Sequence, residues 1–81
     1  MKNTRAFKVK YYGATNTKGS RVLIHDLRFV VKKFISYDHK QNNIYDMANN
    51  YLKTRGIVCE FVAEDVDGYL LMTNNFNNQI K

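Results

Sequence analysis

The chain has 81 residues, 44% of them apolar, a net charge of +6 and a single cysteine. That length makes one small domain, residues 1–81, with a modest core; the apolar share argues against wholesale disorder; one thiol, Cys59, excludes an internal disulfide framework and fits a reducing cytoplasm. No secretory leader and no apolar stretch of bilayer-crossing length is visible, so an intracellular chain with no membrane partner is expected.

Phe7, Val9 and Tyr11 alternate with Lys8, Lys10 and Tyr12, the period of a half-buried strand with a basic outer face. A polar loop follows, Gly13-Ala14-Thr15-Asn16-Thr17-Lys18-Gly19-Ser20, and then Val22 and Ile24 alternate with Arg21, Leu23 and His25. Two such runs joined by a glycine-containing loop read as a β-hairpin. Asp26-Leu27-Arg28 turns the chain, and Phe29 to Ser36 is a third strand interrupted by Lys32 and Lys33. Short connections make these three a meander.

The stretch from Tyr37 to Asn43 is polar and turn-prone. Beyond it Ile44, Met47, Ala48, Tyr51 and Leu52 share one helical face, while Tyr45 faces away. Asn42 or Asn43 caps the N-terminus, Asp46 suits the positive end of the dipole, and Gly56 stops the helix as its C′ residue. A fourth strand is expected over Ile57 to Ala63 and a fifth over Gly68 to Thr73, with Asp67-Gly68 as the hairpin signal between them. The tail from Asn74 is Asn-rich, and Phe76 and Ile80 are its docking points.

The order β-β-β-α-β-β predicts an α+β fold: an antiparallel sheet of about five strands with one helix on one face. The same order occurs in small closed OB-like barrels, which remain the alternative. Short strands without internal glycines in the first and third favour the open sheet.

Charge is distributed unevenly along the chain. Residues 1–40 hold ten Lys/Arg against two carboxylates, and residues 41–81 hold three against five. Such polarity steers an anionic partner to one face, although it also serves solubility. Lys8, Lys10, Tyr12, Arg21 and His25 fall on one face of the first hairpin, where cations interleaved with an aromatic suit a nucleic-acid strand. The loop offers Thr15, Asn16, Thr17, Lys18 and Ser20 beside Arg21. It reads either as a phosphate cradle built on backbone N–H groups around Gly13 and Gly19, or as a solvated turn.

Catalysis has little to stand on. Cys59 lies in an apolar run with no activating cation beside it. His25 and His39 neighbour Asp26 and Asp38, but adjacent strand residues point to opposite faces. No zinc spacing occurs, and Asp65 and Asp67 lack the remaining ligands of a calcium loop. The expectation is a binding protein with no catalytic residues, no metal and no cofactor.

The run Lys10-Tyr11-Tyr12-Gly13-Ala14-Thr15-Asn16-Thr17-Lys18-Gly19-Ser20-Arg21-Val22 resembles a group of small, mostly uncharacterised proteins carried by phages, plasmids and other bacterial mobile elements. Their pattern near the N-terminus is K-Y-x-G-A-T-N-x-K-G-S-R with Ile or Val next, then P-Y-D-Y, an Ala-rich helix and a Gly-Tyr-apolar final strand. Here Ser36-Tyr37-Asp38-His39 replaces the proline segment, Ala48 and Leu52 sit on the helix, and Gly68-Tyr69-Leu70-Leu71 matches the last strand. The resemblance implies a compact accessory protein in the cytoplasm of a bacterial host, acting on nucleic acid or on a host nucleic-acid-handling protein.

The expected function is therefore non-enzymatic contact with nucleic acid through the basic N-terminal hairpin. The alternative is an anti-CRISPR-type inhibitor that binds a host defence protein. A homodimer through the aromatic-rich sheet is a third reading.

Overall fold

The computed structural model describes residues 3–37 and 43–80. Five strands form one open antiparallel sheet: β1 (Arg5–Tyr12), β2 (Arg21–Asp26), β3 (Val31–Ser36), β4 (Phe61–Asp65) and β5 (Gly68–Thr73). Their spatial order is β3-β2-β1-β5-β4, so the N-terminal strand is central and β3 and β4 are the edges. One helix, α1 (Ile44–Thr54), packs on one face. The α+β order read from the sequence is the observed one, and the sheet does not close into a barrel.

Alternation divides the sheet into two faces. Phe7 and Val9 of β1, Val22 and Ile24 of β2 and Leu71 of β5 meet Met47, Ala48 and Leu52 of α1 in a single buried cluster. Ile57 and Ile80 complete that cluster. The tail therefore docks through Ile80, whose carbonyl accepts a hydrogen bond from the Tyr51 hydroxyl at 2.8 Å. Phe76 lies beneath the Arg28 guanidinium.

The helix ends behave as their residues dictate. The Asn43 side chain accepts from the Asp46 N–H at 2.9 Å, and Gly56 takes φ +77°, a conformation costly for any residue with a Cβ. Asn42, the other capping candidate, lies outside the described residues, as do Asp38 and His39.

Three local expectations change. The turn after β2 runs through Phe29 and Val30, so β3 starts at Val31, not at Phe29. Val30 sits at φ +54°, a place where a β-branched residue is rare, and its β propensity had disguised the turn. β4 begins at Phe61, because Ile57 leaves the helix to plug the core and Thr73 Oγ1 takes the carbonyl of Val58. Tyr45 does not face away: it packs half-buried against Tyr69 with ring centroids 4.8 Å apart.

Among the described residues Arg5 is the one buried cation. Both it and Asp26 are fully buried and form a bidentate ion pair, with Nη2 2.5 Å from Oδ2. Arg5 Nη1 donates to the Asn75 carbonyl, and Asp26 Oδ1 accepts from the Arg28 and Phe29 N–H groups. One pair thus ties β1, the β2–β3 turn and the tail together.

Candidate functional site

The sheet face turned away from α1 follows directly from strand register. Three cross-strand rows span β1, β2 and β3: Tyr12–Arg21–Ser36, Lys10–Leu23–Phe34 and Lys8–His25–Lys32. Directly paired residues share a face, so this register gathers four Lys/Arg, one His and two aromatics on one surface. The sequence-based grouping of Lys8, Lys10, Tyr12, Arg21 and His25 is the observed one.

Arg21 stands at the centre of the aromatic end. Its guanidinium carbon lies 5.4 Å from the Tyr12 ring centroid and 5.2 Å from that of Phe34, and the two rings meet edge-on at 5.6 Å. Lys10 reaches the Tyr12 ring as well, at 5.4 Å. These contacts hold Arg21 by cation–π attraction instead of by a carboxylate. Arg21 Nη1 is buried without a hydrogen-bond acceptor, and so is His25 Nε2 without a partner. Nη1 has no solvent access, so an anion reaches this guanidinium by its remaining N–H groups, and Arg21 has no carboxylate partner among the described residues.

Lys8 and Lys10 are not available in the same way. The β4–β5 turn crosses the sheet end and brings Asp65 and Asp67 onto Lys8, and Asp67 onto Lys10 at 3.0 Å. Hydrogen bonds from Lys8 and then Lys10 hold the Asp67 carboxyl down to about 2; Lys8 also lowers Asp65, and both lysines are raised. The sequence reading of Asp65 and Asp67 as merely a turn overlooked this. The pairs join residues 57 to 59 positions apart, and strand order alone brings them together.

The loop is a turn and not a nest. No residue from Gly13 to Ser20 has a positive φ, whereas an anion-binding nest alternates the two hands of backbone. The loop satisfies itself locally: Thr15 Oγ1 accepts from the Lys18 N–H at 3.1 Å, and the Thr15 N–H donates to the Lys18 carbonyl at 2.7 Å. The Ser20 hydroxyl accepts from Tyr11. Asn16, Thr17 and Lys18 are exposed. Their contribution is positional: a shallow hollow of about 320 Å³ lies between the loop and β3, lined by Lys18, Ser20, Arg21 and Phe34 among others.

Phe34 and Lys32 were missed as site residues. The Lys32-Lys33 pair masks the alternation of β3 when the sequence is read alone, and register is needed to place Phe34 beside Arg21. Phe34 is 46% exposed, so its ring is open to solvent beside Arg21.

A larger concavity lies elsewhere. It measures about 480 Å³ and is rimmed by Glu64, Asp65 and Asp67, the wrong sign for a polyanion. Among the described residues no cluster of His, Cys, Asp and Glu is placed to hold a metal ion. Cys59 is partly buried, and desolvation pushes its thiol up to about 11, which keeps it protonated and a poor nucleophile at neutral pH. No described helix is long and apolar enough to cross a membrane. Compared with known protein families, curated proteins and solved structures, the chain matches none.

Proposed function

We propose that this is a non-enzymatic binding protein that contacts a nucleic-acid backbone through the face built by β1, β2 and β3. The observation that carries the reading is Arg21, held over Tyr12 and Phe34 with no carboxylate partner among the described residues, on a face where Lys32 adds charge and beside the loop that adds Lys18. The centre of the site shifts accordingly from Lys8 and Lys10 to Arg21, because the lysines already hold carboxylates. Phosphate supplies the acceptor that Arg21 lacks, and an unstacked base has Phe34 and Tyr12 to lie against.

Binding of this kind weakens with salt, by roughly 0.7 to 0.9 in log K per neutralised phosphate for each unit of log salt. Titrating labelled single-stranded and duplex oligonucleotides over a salt series gives the measurement. Arg21→Ala is expected to reduce affinity about tenfold and to lower the slope by about one phosphate. A complex with no salt dependence, or no binding to either probe, would overturn the reading.

A further inference from the structure

We infer that the two edges of the sheet recognise each other, so that copies of this chain add head to tail, β3 of one against β4 of the next. Within the described residues no strand pairs with the outer side of β3 or of β4. Such edges carry a row of free N–H and C=O groups, which other strands complete unless something prevents it.

The side chains decide which strand fits. β3 carries Lys32 and Lys33 and no acid, and neither lysine has a carboxylate partner among the described residues. β4 is led by Glu60 and carries Glu64, with Asp46 of α1 nearby, and none of the three is ion-paired among the described residues. Two β3 edges brought together would oppose lysines, and two β4 edges would concentrate glutamates. The cross-pair alone brings opposite charges together, which is how like-charge repulsion selects a partner.

Apolar groups agree with the charges. Phe61 and Val62 on β4 are 65% and 46% exposed, and Phe34 on β3 is similarly open. Phe34 and Phe61 project on the face away from α1, and the parallel register that sets these rings side by side sets Lys33 beside Glu60 on the helix side. Beside β4 a groove of about 160 Å³ runs along α1, and Asn49 Oδ1 is buried without a donor on its wall. A lysine arriving on the helix side meets Glu60, Asp46 and that amide oxygen, which line the groove together.

Direction also permits it. β3 and β4 both run parallel to β1, so a translated copy pairs β3 with β4 in parallel and keeps every helix on the same side. Such a contact is heterologous and does not close on itself, so growth continues past the dimer. The β1–β2–β3 faces of successive copies then line up along one surface.

Sedimentation velocity of the full chain without nucleic acid tests this, so its outcome is independent of the proposed function. Wild type is expected to associate with rising concentration and to pass beyond dimer. Lys33→Glu and Glu60→Lys, each checked for native circular dichroism, are expected to weaken association by about tenfold or more. The double charge reversal restores it, since the pair is re-formed with its signs exchanged. A strictly monomeric wild type at millimolar concentration would overturn the inference. So would association that Lys33→Glu leaves unchanged, because that points to a symmetric β4–β4 contact.

Discussion

Arg5 and Arg21 show how little a residue's type says about its work. They are two arginines of one basic half-chain, yet Arg5 is wholly buried on a carboxylate and Arg21 rests on two rings with no carboxylate partner among the described residues. The difference is strand parity: Arg5 shares the side of Phe7 and Val9, and Arg21 shares that of Lys10 and Tyr12. A buried ion pair is unforgiving when one partner goes, since the other charge is left desolvated. Asp26→Ala is therefore expected to cost about 3–5 kcal/mol in urea unfolding. The same change frees the Arg28 and Phe29 N–H groups that hold the turn before Val30. Replacing Arg5 and Asp26 together by apolar residues should cost less than the single change, which separates the charge effect from the packing effect.

At the scale of elements, the β4–β5 hairpin is fastened to β1 twice, by the ladder between β1 and β5 and by Lys8 and Lys10 on Asp65 and Asp67. The approach is close: a Cβ on Gly68 would run into the Val9 carbonyl, so the backbone itself requires glycine there. The carboxylates are lowered in the folded chain, Asp67 to about 2, against roughly 3.9 unfolded. Their contribution is thus complete above about pH 4 and is lost as pH falls towards 2. The lysines are raised, so their share is complete below about pH 10.4 and is lost as pH climbs through their folded values. Urea midpoints measured from pH 5 down to 2 should fall for wild type and fall less steeply for Asp67→Asn. The helix and its caps, the first hairpin and the Asp67-Gly68 turn were legible because each is a local pattern of period, cap or turn residue. The starts of β3 and β4 were not. Val30 and Ile57 have strand-forming side chains, and tertiary demands, a turn pinned by Asp26 and a core plug, overrode that preference.

For the molecule as a whole, the two sheet faces divide the labour. One buries the apolar cluster under α1, and the other gathers the cations and rings of the proposed binding face. Acidic groups from the C-terminal half enter that second face at one end only, on the lysines of β1. They act as an internal competitor for any phosphate backbone. Asp67→Asn is accordingly expected to raise affinity for an oligonucleotide severalfold at low salt and to steepen the salt slope, as Lys8 and Lys10 become free. Unchanged affinity in a folded variant would confine binding to the Arg21 end.

Alternation and spacing by themselves determined the element order, the helix face and the basic side of the first hairpin, because each depends on neighbours within a few residues. Only the tertiary structure decided which cations remain open. Placing β5 between β1 and β4 delivers Asp65 and Asp67 to Lys8 and Lys10 across more than fifty residues, and the β2–β3 register sets Phe34 beside Arg21. Coulomb attraction and ring stacking act through space, so no pattern along the chain records them.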